Sequence, residues 1–201
     1  MPTRRREAIS RTFYRRPTLT VANELLGKVL VHEARAGRAA GMIVEVEAYI
    51  GEEDPACHAA AGRTGRTAPL YGPPGHAYVY LNYGIHHLFN AVTEATGHPA
   101  AVLVRALEPV DGLSLMSRRR ARPGTPIAPA DLCRGPGNLS RAMGIALQYN
   151  THDLQRGPLT IEDWGLPVGA VRWGTRVGIR KGTDRPWRGW IDGHACVSGK
   201  T

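Results

Sequence analysis

The chain has 201 residues, a formal net charge of +9 and 42% hydrophobic residues, with a pI near 10.0. That is enough chain and enough apolar content for one domain with a real core, which excludes a disordered segment, and no apolar run is long enough to be a membrane span. The charge points to a polyanion such as DNA, RNA, the ribosome or an anionic membrane, although a codon bias toward arginine would produce the same excess.

The first 17 residues are basic, with Arg4, Arg5, Arg6, Arg11, Arg15 and Arg16 and no apolar stretch. They read as an N-terminal arm rather than a secretory signal, and the protein as cytoplasmic. Residues 18–201 read as the folded domain. Thr18 or Thr20 is placed to cap a short helix carrying Val21, Ala22, Leu25 and Leu26, closed by Gly27. A strand over 28–33 and a turn over 36–40 follow.

Residues 42–50 give the clearest strand. Met42, Val44, Val46, Ala48 and Ile50 alternate with Ile43, Glu45, Glu47 and Tyr49, so two carboxylates and a tyrosine share a face. Five of the chain's acidic residues fall between 45 and 54: Glu45, Glu47, Glu52, Glu53 and Asp54. A sheet-borne glutamate beside a tyrosine suits a general base that activates water. The same pattern also describes a solvated face of paired charges.

Residues 51–76 are rich in Gly and Pro and read as a long loop, a feature that in a compact domain often carries function. Residues 77–93 form a hairpin with its turn at Asn82, Tyr83 and Gly84. Five of seven tyrosines (Tyr49, Tyr71, Tyr78, Tyr80 and Tyr83) lie in this part of the chain. Flat rings suit base stacking, though tyrosine also fills strands for its own sake. Tyr83 is different, because a large ring at a turn tip gains little burial; a projecting ring can act as a wedge in a duplex.

Further on come a strand over 100–107 stopped by Pro109, a helix over 110–122 with the basic run Arg118, Arg119, Arg120 and Arg122, a Pro/Gly loop, and a helix over 137–145. Short strands are expected at 159–162, 170–173, 176–180 and 189–192. The sum is an α+β domain: one curved, mainly antiparallel β-sheet with a protruding hairpin and peripheral helices. Cys57, Cys133 and Cys196 are too far apart and too few for a zinc finger or disulfide framework, and His58, His76, His86 and His87 match no ligand spacing. No metal is expected, and no phosphate-loop motif is present.

The segments IVEVEAYIGEEDPACH, YGPPGHAYVYLNYGIHHLFN, VLVRALEP, CRGPGNLSRAMGI and RVGI, with LLGKVL before them, together resemble the alkyladenine (3-methyladenine) DNA glycosylase family over most of the chain. The resemblance implies a monofunctional base-excision enzyme. Such an enzyme flips damaged purines out of duplex DNA and hydrolyses the N-glycosidic bond without a cofactor, as a monomer. Carried over residue by residue, it makes Glu47 the acid that deprotonates water and Arg105 a residue that helps hold that water or a nearby phosphate. The backbone carbonyl of Val177 becomes a further contact to the water. Tyr49, His58 and Tyr80 would sandwich the base, Tyr78 would orient His58, and Asn90 would discriminate among purines. Tyr83 would fill the gap in the duplex. No lysine stands at a matched catalytic position, which implies hydrolysis without a Schiff base. The family pattern is departed from in three places: Gly65, Arg66 and Thr67 replace a Pro-Arg-Asn segment beside the base pocket, Leu88 stands where cysteine is common, and Asn138 replaces a basic residue. The rival readings are a damaged-DNA-binding or an RNA-binding protein on the same fold.

Overall fold

The computed structural model describes residues 7–121 and 123–199, so Arg4, Arg5, Arg6 and Arg122 lie outside the described residues. Eight antiparallel strands make one curled sheet: β1 (Val29–Ala34), β2 (Gly37–Ile50), β3 (Ala77–Asn82), β4 (His86–Val92), β5 (Ala100–Asp111), β6 (Leu159–Glu162), β7 (Val171–Gly174) and β8 (Arg188–Ile191). The helices are α1 (Arg11–Tyr14), α2 (Thr18–Leu25), α3 (Leu113–Arg120) and α4 (Pro136–Met143). The expected α+β domain with its hairpin and peripheral helices is what forms.

β2 is the axis. Along one edge it pairs with β5 from Ala40 to Ile50; along the other it pairs first with β1 and then with β8. The sheet therefore forks, running on through β1 to β6 on one branch and through β8 to β7 on the other. On the β5 side it continues through β4 to the β3–β4 hairpin.

The pairing of β2 with β5 is not regular. Val44 on β2 and Arg105 on β5 are each skipped, two bulges that restore register by Val46↔Val104. Such insertions break alternation and re-aim side chains. Ile43 accordingly joins Met42, Val44, Val46 and Ala48 in the main core instead of lying with the glutamates. The solvated-face reading of the strand fails too: Glu45 and Glu47 are completely buried.

Other boundaries moved for identifiable reasons. The β1–β2 turn is only Arg35 and Ala36, because Gly37 at φ 121° already starts the strand. β5 runs through Pro109, which sits opposite Gly41 next to a register irregularity, a place where a missing N–H is tolerated. The N-cap of α2 is Pro17, and no threonine caps it. The Thr18 hydroxyl donates to Glu94 Oε1 at 2.5 Å, and that carboxylate also accepts the Thr18 backbone N–H. Residues 176–180 form no strand. Within 51–76 two 3-10 turns form, His58–Ala61 and Ala68–Tyr71.

α2, α3 and α4 pack on the sheet around the main core, which also takes in Tyr14 of α1. A second, smaller core made of Cys57, Ala59, Leu70, Tyr71, Tyr78, Val92 and Ala101 lies under the 51–76 segment, with Tyr49 and Tyr80 packed against it. Of the basic arm, Arg11 pairs with Asp153 at 2.9 Å and Arg16 with Glu24 at 2.8 Å.

β5 leads straight into α3 through Gly112, whose φ is +75° and whose added Cβ would lie 2.2 Å from the Arg38 carbonyl oxygen. Gly112→Ala should cost about 2–4 kcal/mol, combining left-handed backbone strain with the clash. Gly84→Ala, equally left-handed but with open space around it, should cost only about 1 kcal/mol. Urea unfolding of the two variants checks the difference.

Candidate active site

Glu47 lies where β2 meets both β5 and β8. Its Oε2 accepts the Tyr49 hydroxyl at 2.8 Å and its Oε1 accepts the Val177 N–H at 2.6 Å. Arg105 Nη1 stands 3.3 Å from Oε1. An ionised carboxylate offers about four acceptor sites, so capacity remains for a water O–H.

Glu45 holds this arrangement in place. Its Oε1 receives Arg105 Nε at 2.9 Å and Arg188 Nε at 2.8 Å, and its Oε2 receives the Ser198 N–H at 2.6 Å. Arg105 reaches on to the Ser198 hydroxyl, and Arg188 to the Ser198 carbonyl. The Arg105 guanidinium is thus pinned between two buried glutamates, which holds its proton more firmly than usual even against the cost of burial.

A second buried pair flanks Glu47. Arg176 grips Asp54 with both terminal nitrogens, at 2.5 and 2.8 Å, and donates to the Ala48 carbonyl at 3.0 Å. Although burial works against ionisation, these bonds keep the Asp54 carboxyl below its usual range. The pair ties the 51–76 segment to residues 176–177 and presents the Val177 amide to Glu47.

Beside these carboxylates opens a cavity lined by Tyr49, Ala56, Cys57, His58, Leu70, Tyr78, Tyr80, Asn90 and Ala101. His58 and Tyr80 meet edge-on with centroids 4.5 Å apart, and Tyr78 leans against Tyr80 at 5.2 Å. The Tyr78 hydroxyl and His58 Nδ1 are 2.9 Å apart. Burial, helped by the nearby Arg66 charge, keeps His58 below the ordinary imidazole range, so the ring is neutral at pH 7. Burial first and the adjacent Glu47 second push the Tyr49 phenol far up, so it stays a proton donor. Cys57 is likewise pushed up by burial, to about 11, and is no nucleophile at neutral pH. Asn90 Nδ2 donates to the Tyr78 carbonyl across the hairpin, which fixes the amide's orientation at the cavity wall.

The cavity adjoins a wider groove bounded by Tyr49, His58, Tyr80, Tyr83, Arg105, Val177, Arg180 and Lys181. Tyr83 is 88% exposed at φ 49° on the hairpin tip. Eight of the nine residues singled out from the sequence line this cavity or its groove, and the ninth, the fully buried Glu47, lies behind them in contact with Tyr49, Arg105 and Val177. Val177 touches Glu47 through its amide N–H. Asn138 is engaged with Arg120 and the Arg134 carbonyl. Glu45, Asp54, Arg176, Arg188 and Ser198 were not singled out as a framework. The one hint was the acidic cluster at 45–54, which gave no partners because the arginines come from distant parts of the chain. Among the described residues no group of three His, Cys, Asp or Glu side chains is placed to hold a metal ion, and no helix is long and apolar enough to cross a membrane.

An aromatic slot beside a buried, hydrogen-bonded carboxylate opens on a basic groove under an exposed tyrosine. The family model of methylpurine-DNA glycosylase matches residues 12–195. A protein of Methanocella arvoryzae with the provisional name 3-methyladenine DNA glycosylase is 48% identical over 94% of this chain and 95% of its own. Proteins with the same provisional name from Chlorobium phaeobacteroides and Clostridium acetobutylicum are 44% and 45% identical, over 96% and 94% of this chain and 96% of each of theirs. The chain belongs to the methylpurine-DNA glycosylase family, hydrolases of N-glycosyl bonds in DNA.

Two predictions follow from the buried charges. Asp54→Ala leaves Arg176 buried without its carboxylate and should lower stability by about 3–5 kcal/mol in urea unfolding. His58 and His32 are both held below the ordinary imidazole range, chiefly by burial. Below an unfolded pKa of about 6.5 the unfolded chain therefore binds more protons than the folded one, and stability rises with pH there. The melting temperature should be higher at pH 7.5 than at pH 5.5, and His58→Gln should narrow the gap.

Proposed function

We propose that the protein is a monofunctional DNA glycosylase of base excision repair that flips a damaged purine into the aromatic cavity and hydrolyses its N-glycosidic bond with Glu47 as general base. The observation that carries this reading is the Glu47 carboxylate, buried behind the lining residues Tyr49, Val177 and Arg105 and oriented by them. The catalytic domain is taken as residues 18–201, preceded by the basic arm 1–17, and the protein is taken to act as a monomer in the cytoplasm, associated with the nucleoid.

Binding begins on duplex DNA through the basic groove and is salt-sensitive and largely indifferent to sequence. Tyr83 enters the minor groove as the damaged nucleotide leaves the stack, a step that costs a few kcal/mol and less at a weakened pair. The extruded base lies between Tyr49, His58 and Tyr80. Tyr78 sets the orientation of His58, and the fixed amide of Asn90 screens the purine's edge. Glu47 then takes a proton from water while the glycosidic bond stretches and positive charge grows on the sugar. The water oxygen adds to C1′, and the bonding electron pair leaves with the base. Arg105 and the backbone at Val177 hold the water. No metal, cofactor or Schiff base enters these steps, and the product is free base with an abasic site.

Release of free base from duplexes carrying 3-methyladenine, 7-methylguanine, hypoxanthine or ethenoadenine tests the reading. The parent should release at least one of them. Glu47→Gln keeps the shape but cannot take the proton. It should keep lesion-DNA affinity and lose excision by at least about a hundredfold, so turnover near the parent rate sinks the assignment. Tyr83→Ala should slow excision with little change in the folding stability of the protein, since the ring is exposed, and an unchanged rate rejects the wedge. Binding of lesion DNA without release of any base favours a damage-binding protein instead.

A further inference from the structure

Two of the aromatic walls of the cavity carry an arginine. On Tyr49 it is Arg176, whose guanidinium lies 4.7 Å from the ring centroid. This cation is buried and cancelled by Asp54. On Tyr80 it is Arg66, 5.4 Å from the ring centroid. Arg66 is exposed, and among the described residues no carboxylate lies within ion-pairing distance of it. The second wall therefore carries an uncancelled positive charge at the mouth of the cavity.

The loop that presents Arg66 is built, not loose. Thr67 is buried; its Oγ1 accepts the Thr64 N–H at 2.7 Å and donates to the Gly62 carbonyl at 2.9 Å, and its own N–H bonds the Thr64 hydroxyl. The Ala68 N–H closes the turn on the Thr64 carbonyl at 2.8 Å. Arg63, on the same loop, is occupied over Tyr71.

A cation on a tyrosine ring draws on the ring's negative face. A second cation stacked on the same ring meets a π-cloud already polarised away from it, and meets the first charge directly across a few ångström. A neutral base pays no such penalty and can still accept a hydrogen bond from the guanidinium. We propose that Arg66 is a specificity-determining residue that biases this site against purine lesions carrying a formal positive charge and toward neutral ones. The depressed basicity of His58, to which Arg66 contributes after burial, is the same field acting on a group already in the cavity. The inference rests on the glycosylase reading of the site.

The test is single-turnover base release at saturating enzyme, so that DNA affinity drops out, from matched duplexes carrying 7-methylguanine (cationic) or hypoxanthine (neutral). Arg66→Gln should raise the ratio of 7-methylguanine to hypoxanthine rates by about tenfold, the size expected for a partly screened unit charge several ångström away. Arg66→Lys keeps the charge and should stay near the parent ratio. An unmoved ratio in Arg66→Gln overturns the inference, and if both rates fall together Arg66 is a phosphate contact. A ratio in Arg66→Lys equal to that in Arg66→Gln overturns the charge argument in favour of guanidinium shape. A parent that releases neither base refutes the glycosylase reading and this inference with it, whereas an active parent with a fixed ratio refutes this inference alone.

Discussion

The constraint on which the rest of the structure depends is the burial of charge at the crossing of β2, β5 and β8. Glu45, Glu47 and Asp54 have no exposure, and the guanidiniums of Arg105, Arg176 and Arg188 are nearly as deep. An unpaired ion at such depth costs several kcal/mol, so each of these groups dictates the position of its partners. Glu45 alone joins the bulge on β2, the bulge on β5, the start of β8 and the chain near Ser198. The pairing has the same register on either side of the two bulges, Ile43↔Leu107 and Val46↔Val104, a frame in which Arg105 lies across from Glu45 and one guanidinium reaches both glutamates. The catalytic candidate inherits its orientation from a neighbour with no chemical role of its own.

The cavity is best understood as a second core left incomplete. Cys57, Ala59, Leu70, Tyr71, Val92 and Ala101 pack as any core does. The 51–76 segment folds back over them by way of two short 3-10 turns and the Asp54–Arg176 bond. Where Tyr49, Tyr78, Tyr80 and His58 should close the layer, Tyr78, Tyr80 and His58 pack on one another and a slot remains between them and Tyr49. Rings have few rotatable bonds, and hydrogen bonds from Tyr49 to Glu47 and between Tyr78 and His58 fix them in place. The slot is therefore preformed, and filling it with a flat base would restore the contacts the core lacks.

How much of this the sequence disclosed follows from the range of each interaction. The 42–50 strand with Glu47 and Tyr49 on one face, the hairpin with Tyr83 at its tip and the 137–145 helix rest on local periodicity and turn chemistry, and they were readable. The grouping of His58, Tyr80, Asn90 and Arg105 with that pair was readable only through a family resemblance, since the separations exceed any local rule. The bulges at Val44 and Arg105 were not readable. Alternation in 42–50 is unbroken on paper, and only pairing with β5 reveals the skipped residues. The same limit hid the continuation of β5 through Pro109, which depends on what lies opposite, and the roles of Arg176 and Arg188, which sit in a region of weak periodicity. The acidic cluster in so basic a chain was visible, but its meaning depends on arginines 60 or more residues away.

The arrangement separates two electrostatic tasks. Inside, three carboxylates face three guanidiniums and leave little net field, so the cavity has no general pull on phosphate and must select by shape, stacking and hydrogen bonding. Outside, the net charge of +9 is spread over a surface and groove that carry Arg180 and Lys181, where screening by salt limits its reach to roughly 10 Å. On the proposed function, attraction to any duplex and discrimination among bases would act at different depths, and mutation would alter one with little effect on the other. Arg66 stands at the boundary between them: an outer charge, uncancelled, laid on an inner wall. At that place a single exposed side chain can influence which base is accepted without disturbing either the buried network or the affinity for DNA as a whole.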